Sequence, residues 1–206
     1  MGIENNPYNK PDIYGYEQKK ESKKITFIDK QTDEKYYKGK SLGKNPNKDL
    51  KKKYWYTFER SNSKQNRIGG WKLNKWIDGQ CMIVDKNDIN VIYNYTRDNR
   101  QDKEIRVSNY YKDCKNHIIC VWKKETLEKC INNKFNVKGF YIIKKNNEGE
   151  YNKICFGKKI DFEYWISEFV KKNIYYDGYS KLDGRWRGTF RASGKWWNNL
   201  ITEEYS

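Results

Sequence analysis

Histidine is almost missing from this chain: His117 is the single one in 206 residues. That argues against zinc sites built on several imidazoles, against HNH-type nucleases and against ribonucleases that need a histidine pair. His117 itself lies at the start of an apolar run and reads as a packed residue. Cysteines lack any pairing pattern. Cys81, Cys114, Cys120, Cys130 and Cys155 are odd in number, widely spaced and without a C-x-x-C pair, so they read as reduced, partly buried thiols. No apolar run approaches the about 20 residues that span a bilayer, and the first residues lack a signal-peptide core. The expectation is a cytoplasmic protein with no membrane segment. Alanine occurs once, at Ala192, whereas Asn, Ile and Tyr are crowded, a usage typical of AT-rich coding DNA.

Acidic residues are also in short supply, 27 against 43 Lys and Arg, which leaves a net charge of +16. Such a surplus favours a polyanion such as nucleic acid; a membrane surface is the weaker alternative. Codon bias toward lysine is the competing explanation, and composition alone leaves both open. High charge with low hydrophobicity also describes disordered chains. Here, however, 8 Trp, 18 Tyr and 8 Phe supply large buriable surfaces, so the chain is expected to fold. Its length suits one domain, residues 1–206.

Local patterning predicts a mixed α and β chain. Asp12 to Lys19 and Ile25 to Ile28 read as short strands, and Lys38 to Lys53 as a mobile basic loop. Gln80 to Val84 and Ile89 to Tyr95 flank a hairpin signal at Asp85 to Asp88, and His117 to Trp122 continues the strand theme. Leu127, Cys130 and Ile131 have the spacing of an amphipathic helix within Lys124 to Lys134. A second hairpin is predicted around Asn146 to Gly149. Asp161 is placed as the N-cap of a helix whose Phe162, Trp165, Ile166 and Phe169 form one apolar face. The expected class is α/β or α+β with a mixed sheet flanked by helices.

The strongest chemical signal is Pro11-Asp12 followed by Glu17-Gln18-Lys19. Residues two apart on a strand emerge on one face, which puts Glu17 and Lys19 together; a bend after Pro11 brings Asp12 to the same edge. Asp12 and Glu17, with the main-chain carbonyl of Gln18, offer oxygen ligands to a hard divalent ion such as Mg²⁺. Such an ion acidifies bound water and neutralises phosphate charge. Lys19 would orient the nucleophile or stabilise the added negative charge. The competing explanation is a solvated charged strand, since E-x-K arises readily in a lysine-rich chain, as Glu21-Ser-Lys23 shows.

The same segment, with Lys24-Ile-Thr-Phe27, resembles the catalytic region of the MutH/MvaI/BcnI group of PD-(D/E)XK endonucleases. Ile68-Gly-Gly-Trp71, Phe135 to Tyr141, Ile154 to Phe162 and Thr189-Phe-Arg191 resemble the same group. The resemblance implies a restriction-endonuclease-like fold and Mg²⁺-dependent hydrolysis of double-stranded DNA. It also implies a type II restriction or nicking enzyme, paired with a cognate methyltransferase. It assigns catalytic roles to Asp12, Glu17 and Lys19 only. Gln18 departs from the apolar residue common at that place. The group also carries a helix ahead of the Pro-Asp with a further acidic residue. The chain begins too late to contain it, with Glu4 a weak substitute, so a fragment, a split enzyme or reduced activity is expected.

Arg185, Arg187 and Arg191 share one face of an extended segment and have the side chain suited to bidentate contact with guanine. Packing against tryptophans is the equal alternative. Lys51, Lys52 and Lys53 are expected to touch phosphates. Arg97-Asp-Asn-Arg100 reads as a loop rather than a site. The alternative function is a DNA- or RNA-binding module without catalysis, which would leave the order of Asp12, Glu17 and Lys19 unexplained.

Overall fold

The computed structural model describes residues 11–43, 46–60, 67–113, 115–181 and 188–206. Glu4, Cys114, Arg185 and Arg187 therefore lie outside the described residues. In chain order the first strands are β1 (Glu17–Lys20), β2 (Lys24–Asp29), β3 (Glu34–Tyr37) and β4 (Lys40–Ser41), followed by helix α1 (Lys48–Phe58). Next come β5 (Arg67–Gly69), β6 (Gln80–Asp85), β7 (Asp88–Tyr93), α2 (Lys103–Arg106), β8 (His117–Trp122) and α3 (Lys124–Phe135). The chain then forms β9 (Phe140–Lys145), β10 (Tyr151–Gly157), α4 (Phe162–Val170), β11 (Ile174–Tyr176) and β12 (Tyr179–Lys181). It closes with β13 (Thr189–Ser193), α5 (Gly194–Asn198) and β14 (Ile201–Tyr205). The α+β class is as expected.

Two compact units emerge from this order, each made of interleaved segments. The first takes Met1–Ile28, Glu125–Ile174 and Arg191–Ser206; the second takes Asp29–Lys124 and Tyr175–Phe190. In the first unit the sheet runs β1-β9-β10-β14, with β1 parallel to β9 and the other pairs antiparallel. The β9–β10 hairpin forms because Asn146 accepts the N–H groups of Glu148 and Glu150 while Gly149 takes φ 87°, a conformation that glycine adopts without steric cost. Helix α3 buries Leu127, Ile131 and Phe135, spaced by four residues on one face. Helix α4 starts where Asp161 accepts the Tyr164 N–H at 2.8 Å, as predicted, and buries Phe162, Trp165, Ile166 and Phe169. The core of this unit centres on Trp197 of α5, whose ring lies 4.2 Å from that of Phe27 and 4.7 Å from that of Phe140.

The second unit holds an antiparallel sheet ordered β4-β3-β8-β7-β6 and a two-stranded pair, β5 with β12. Lys86 and Asn87 both take positive φ at the β6–β7 turn, which matches the right-handed twist of the strands it joins. Helix α1 packs on this sheet through Phe58, edge-on to Tyr93, and through Tyr54, whose hydroxyl donates to the Ile119 carbonyl at 3.2 Å. The expected loop over Lys38 to Lys53 is corrected here. Asn47 accepts the Asp49 N–H at 2.8 Å and caps a helix that begins at Lys48, and β4 lies within the same stretch. Burial of Tyr54, Trp55 and Phe58 supplies what the lysine-rich first turns lack.

Among the described residues, Cys81, Cys120 and Cys155 are buried and Cys130 half-buried, all as free thiols. No described helix is long and apolar enough to cross a membrane.

Candidate active site

The site is assembled in the first unit, from a turn, strand β1 and the end of helix α3. Sequence alone suggested a strand from Asp12 onward. Instead, Ile13 and Tyr16 exchange main-chain hydrogen bonds of 3.1 and 2.8 Å across a tight turn. Tyr14 and Gly15 sit at φ 47° and 88°, the left-handed pair of a type I′ turn. A Cβ at Gly15 would stand 3.2 Å from the Val137 side chain, so glycine also allows the close approach of that segment. The turn brings Asp12 back alongside β1, where its Oδ2 accepts the Gln18 N–H at 2.9 Å. Asp12 remains exposed.

Strand alternation does the rest. Glu17 and Lys19 point inward, with 3 % and 8 % of their surfaces exposed, while Gln18 and Lys20 face outward. Parallel pairing of β1 with β9, Glu17 opposite Phe140 and Lys19 opposite Ile142, places both charges against the aromatic core. Lys19 Nζ donates to Glu17 Oε1 at 2.9 Å and to the Phe27 carbonyl at 3.3 Å, and stands 4.9 Å from the centre of the Phe135 ring. Burial pulls the Lys19 ammonium below its ordinary range. The Glu17 carboxylate opposes that shift, and the positive charge of Lys134 reinforces it. Burial raises the Tyr141 phenol, with the Asp12 and Glu17 charges adding to the effect.

Lys134 is the residue that sequence reasoning missed. It projects from the last turn of α3, and its Nζ lies 3.1 Å from the same Glu17 Oε1 that binds Lys19. Its only sequence signal was a place next to Phe135 on a predicted helix, hidden among many other lysines. Glu17 Oε1 is thus doubly engaged, whereas Glu17 Oε2 is buried without a hydrogen-bond partner. An orphaned buried carboxylate oxygen is costly unless something binds it. Among the described residues no cluster of three or more His, Cys, Asp or Glu side chains is suited to a metal. Asp12 and Glu17 are the two carboxylates of this segment, and carboxylate oxygen is the donor type that a hard divalent cation prefers.

The other sequence candidates lie on other elements. Lys51, Lys52 and Lys53 are exposed on α1, and Arg191 is half-buried on β13 between the buried Phe190 and Ala192. His117 pairs with Asp113 at 2.7 Å and its ring lies 5.1 Å from both Tyr110 and Tyr111, the packed setting expected of it. In the Arg97 to Arg100 stretch, Arg100 turns inward and binds Asp98 at 2.6 Å with both side chains fully enclosed.

The model of the family described as LlaMI restriction endonuclease matches residues 1–205. The type II restriction enzyme ScrFI of Lactococcus lactis subsp. cremoris is 29 % identical over 232 aligned positions, covering 98 % of this chain and 84 % of that one. The solved structure of restriction endonuclease MvaI in the absence of DNA aligns with a TM-score of 0.46 at 14 % identity, covering 95 % of this chain and 79 % of MvaI. With a family match spanning nearly every residue, the chain belongs to the LlaMI restriction endonuclease family and is a type II restriction-like nuclease acting on double-stranded DNA.

Proposed function

We propose that this chain hydrolyses phosphodiester bonds in double-stranded DNA with Mg²⁺, at a site made of Asp12, Glu17 and Lys19. The supporting observation is the buried Glu17 carboxylate, held by Lys19 through Oε1 at 2.9 Å while Oε2 has no partner, on the strand whose Gln18 N–H anchors Asp12. Asp12, Glu17 and the Gln18 carbonyl would hold the cation. When bound, it lowers the pKa of a coordinated water and offsets charge on the scissile phosphate. Glu17 is held in place by burial and by its lysines, and its Oε2, buried without a hydrogen-bond partner, is the oxygen left to serve as a ligand. Lys19, held by Glu17 and the Phe27 carbonyl, directs its ammonium toward the attacking water or toward the negative charge that grows on the phosphate oxygens. Water forms the new phosphorus–oxygen bond, the strand's ester bond breaks, and no covalent enzyme intermediate is required.

Sequence preference is assigned to Arg185, Arg187 and Arg191, and phosphate anchoring to Lys51, Lys52 and Lys53. A cognate methyltransferase would protect the host DNA in a shared cytoplasm. The deciding experiment incubates plasmid DNA with the protein and either Mg²⁺ or EDTA. Discrete fragments with Mg²⁺ and intact plasmid with EDTA are expected. Binding without cutting under both conditions would leave a DNA-binding module instead.

A further inference from the structure

We infer that Lys134 is a positioning residue that makes metal loading at Glu17 conditional on DNA. The inference rests on the metal-site reading above.

Glu17 Oε1 accepts from two ammonium groups, Lys19 at 2.9 Å and Lys134 at 3.1 Å. Counted formally, Asp12 and Glu17 are balanced by Lys19 and Lys134. A dication approaching Glu17 Oε2 therefore meets a cluster of zero formal charge, whose two ammonium groups weaken the attraction of the carboxylates, in surroundings where burial weakens solvent screening. The two lysines are not equivalent. Lys19 is enclosed, with 9 % of its side chain exposed, and is also tied to the Phe27 carbonyl; Lys134 has 23 % exposed, and among the described residues Glu17 is its one hydrogen-bond partner.

A strongly charged acceptor arriving from solvent can therefore draw off Lys134 and leave Lys19 in place. A DNA phosphate is such an acceptor. Its arrival adds negative charge and removes one ammonium from Glu17, and both changes favour a dication at the unpartnered oxygen. In the free protein Lys134 holds Glu17 in position; on DNA it moves to the phosphate. The backbone under Lys134 is firm, because Ile131 and Phe135 on either side of it in α3 are fully buried.

The test measures Ca²⁺ binding by calorimetry, in the absence of DNA, for the full chain and for Lys134→Met, Lys134→Arg, Glu17→Gln and Asp12→Asn. Lys134→Met should bind Ca²⁺ about tenfold more tightly than the unaltered chain, the order expected from removing one positive charge a few ångströms from the ion. Lys134→Arg should restore the original weak binding. With a duplex carrying a mapped cleavage site, Ca²⁺ affinity should rise markedly for the unaltered chain and much less for Lys134→Met. Each variant's melting temperature checks that it has folded, and Lys134→Gln replaces Lys134→Met if that variant has not. Unchanged or weaker Ca²⁺ binding in the folded Lys134 variant, with binding lost in Glu17→Gln and Asp12→Asn, overturns the role of Lys134 alone. Binding insensitive to Glu17→Gln and Asp12→Asn, or undetectable in every variant with and without DNA, overturns the metal site itself.

Discussion

Lys19 Nζ sits 2.9 Å from Glu17 Oε1 inside an aromatic enclosure, and these two charges come from the same four-residue strand. Their union needs nothing but the two-residue repeat of β1, whereas their burial depends on Phe27, Phe135 and Trp197 arriving from elsewhere in the chain. Function is expected to be lost far more readily than fold when this pair is altered conservatively.

Lys19→Ala and Asp12→Ala should each slow DNA cleavage by about 10² to 10³-fold, the usual scale for removing one preorganised electrostatic group. Equilibrium binding to DNA, followed by fluorescence anisotropy in EDTA so that no divalent ion couples to it, should stay nearly unchanged. Cleavage at the original rate in either variant would exclude the site.

Base reading and phosphate anchoring separate in binding experiments. Arg191→Ala should cost about 1 to 3 kcal/mol on a cognate duplex and almost nothing on random DNA. Glutamine at Lys51, Lys52 or Lys53 should weaken binding to every sequence alike, and the dependence of log K on log salt should become shallower by about one unit per lost phosphate contact. Equal losses on both duplexes for Arg191→Ala, or a lowered melting temperature without a binding change, would make it a packing residue.

A pH-dependent contribution to stability is expected from Glu168. Burial alone would raise its carboxyl, but hydrogen bonds from Lys171, Trp196 and Asn173 outweigh burial and hold it below its ordinary value of 4.5. With the folded value depressed, the stabilisation is present above about pH 4.5 and is lost as pH falls through the folded value. Glu168→Gln should cost about 1.5 to 3 kcal/mol at neutral pH. Its melting temperature should converge on that of the unaltered protein as the solution is acidified. Parallel curves down to low pH would remove Glu168 as the cause.

The fully enclosed pair of Asp98 and Arg100 should behave as an all-or-none element of the second unit. Arg100 also donates to the Glu59 carbonyl at 2.7 Å, and the Tyr93 hydroxyl donates to Asp98 at 2.6 Å. Asp98→Ala strands a buried guanidinium and should cost about 3 to 5 kcal/mol in urea denaturation, while replacing both residues with apolar ones should cost less than that single change. A double variant less stable than Asp98→Ala would contradict this reading.

Sequence by itself determined what short-range rules control. The order Asp12, Glu17, Lys19, the hairpins at 85–88 and 146–149, the Asp161 cap and the apolar face of α4 all follow from two-residue or 3.6-residue periodicity and from turn chemistry. Tertiary structure decided the rest. Helix α1 escaped notice because Lys48 to Lys53 look like loop until Tyr54, Trp55 and Phe58 find a sheet to cover. Arg97 to Arg100 read only as a loop, and the burial of Arg100 with Asp98 came from the fold. Lys134 reaches Glu17 from 117 residues away, across a pairing of β1 with β9 that no local pattern encodes. Long-range contacts repay their loop-closure entropy only when the whole unit has formed, and so the second lysine on Glu17 became visible only in the folded chain.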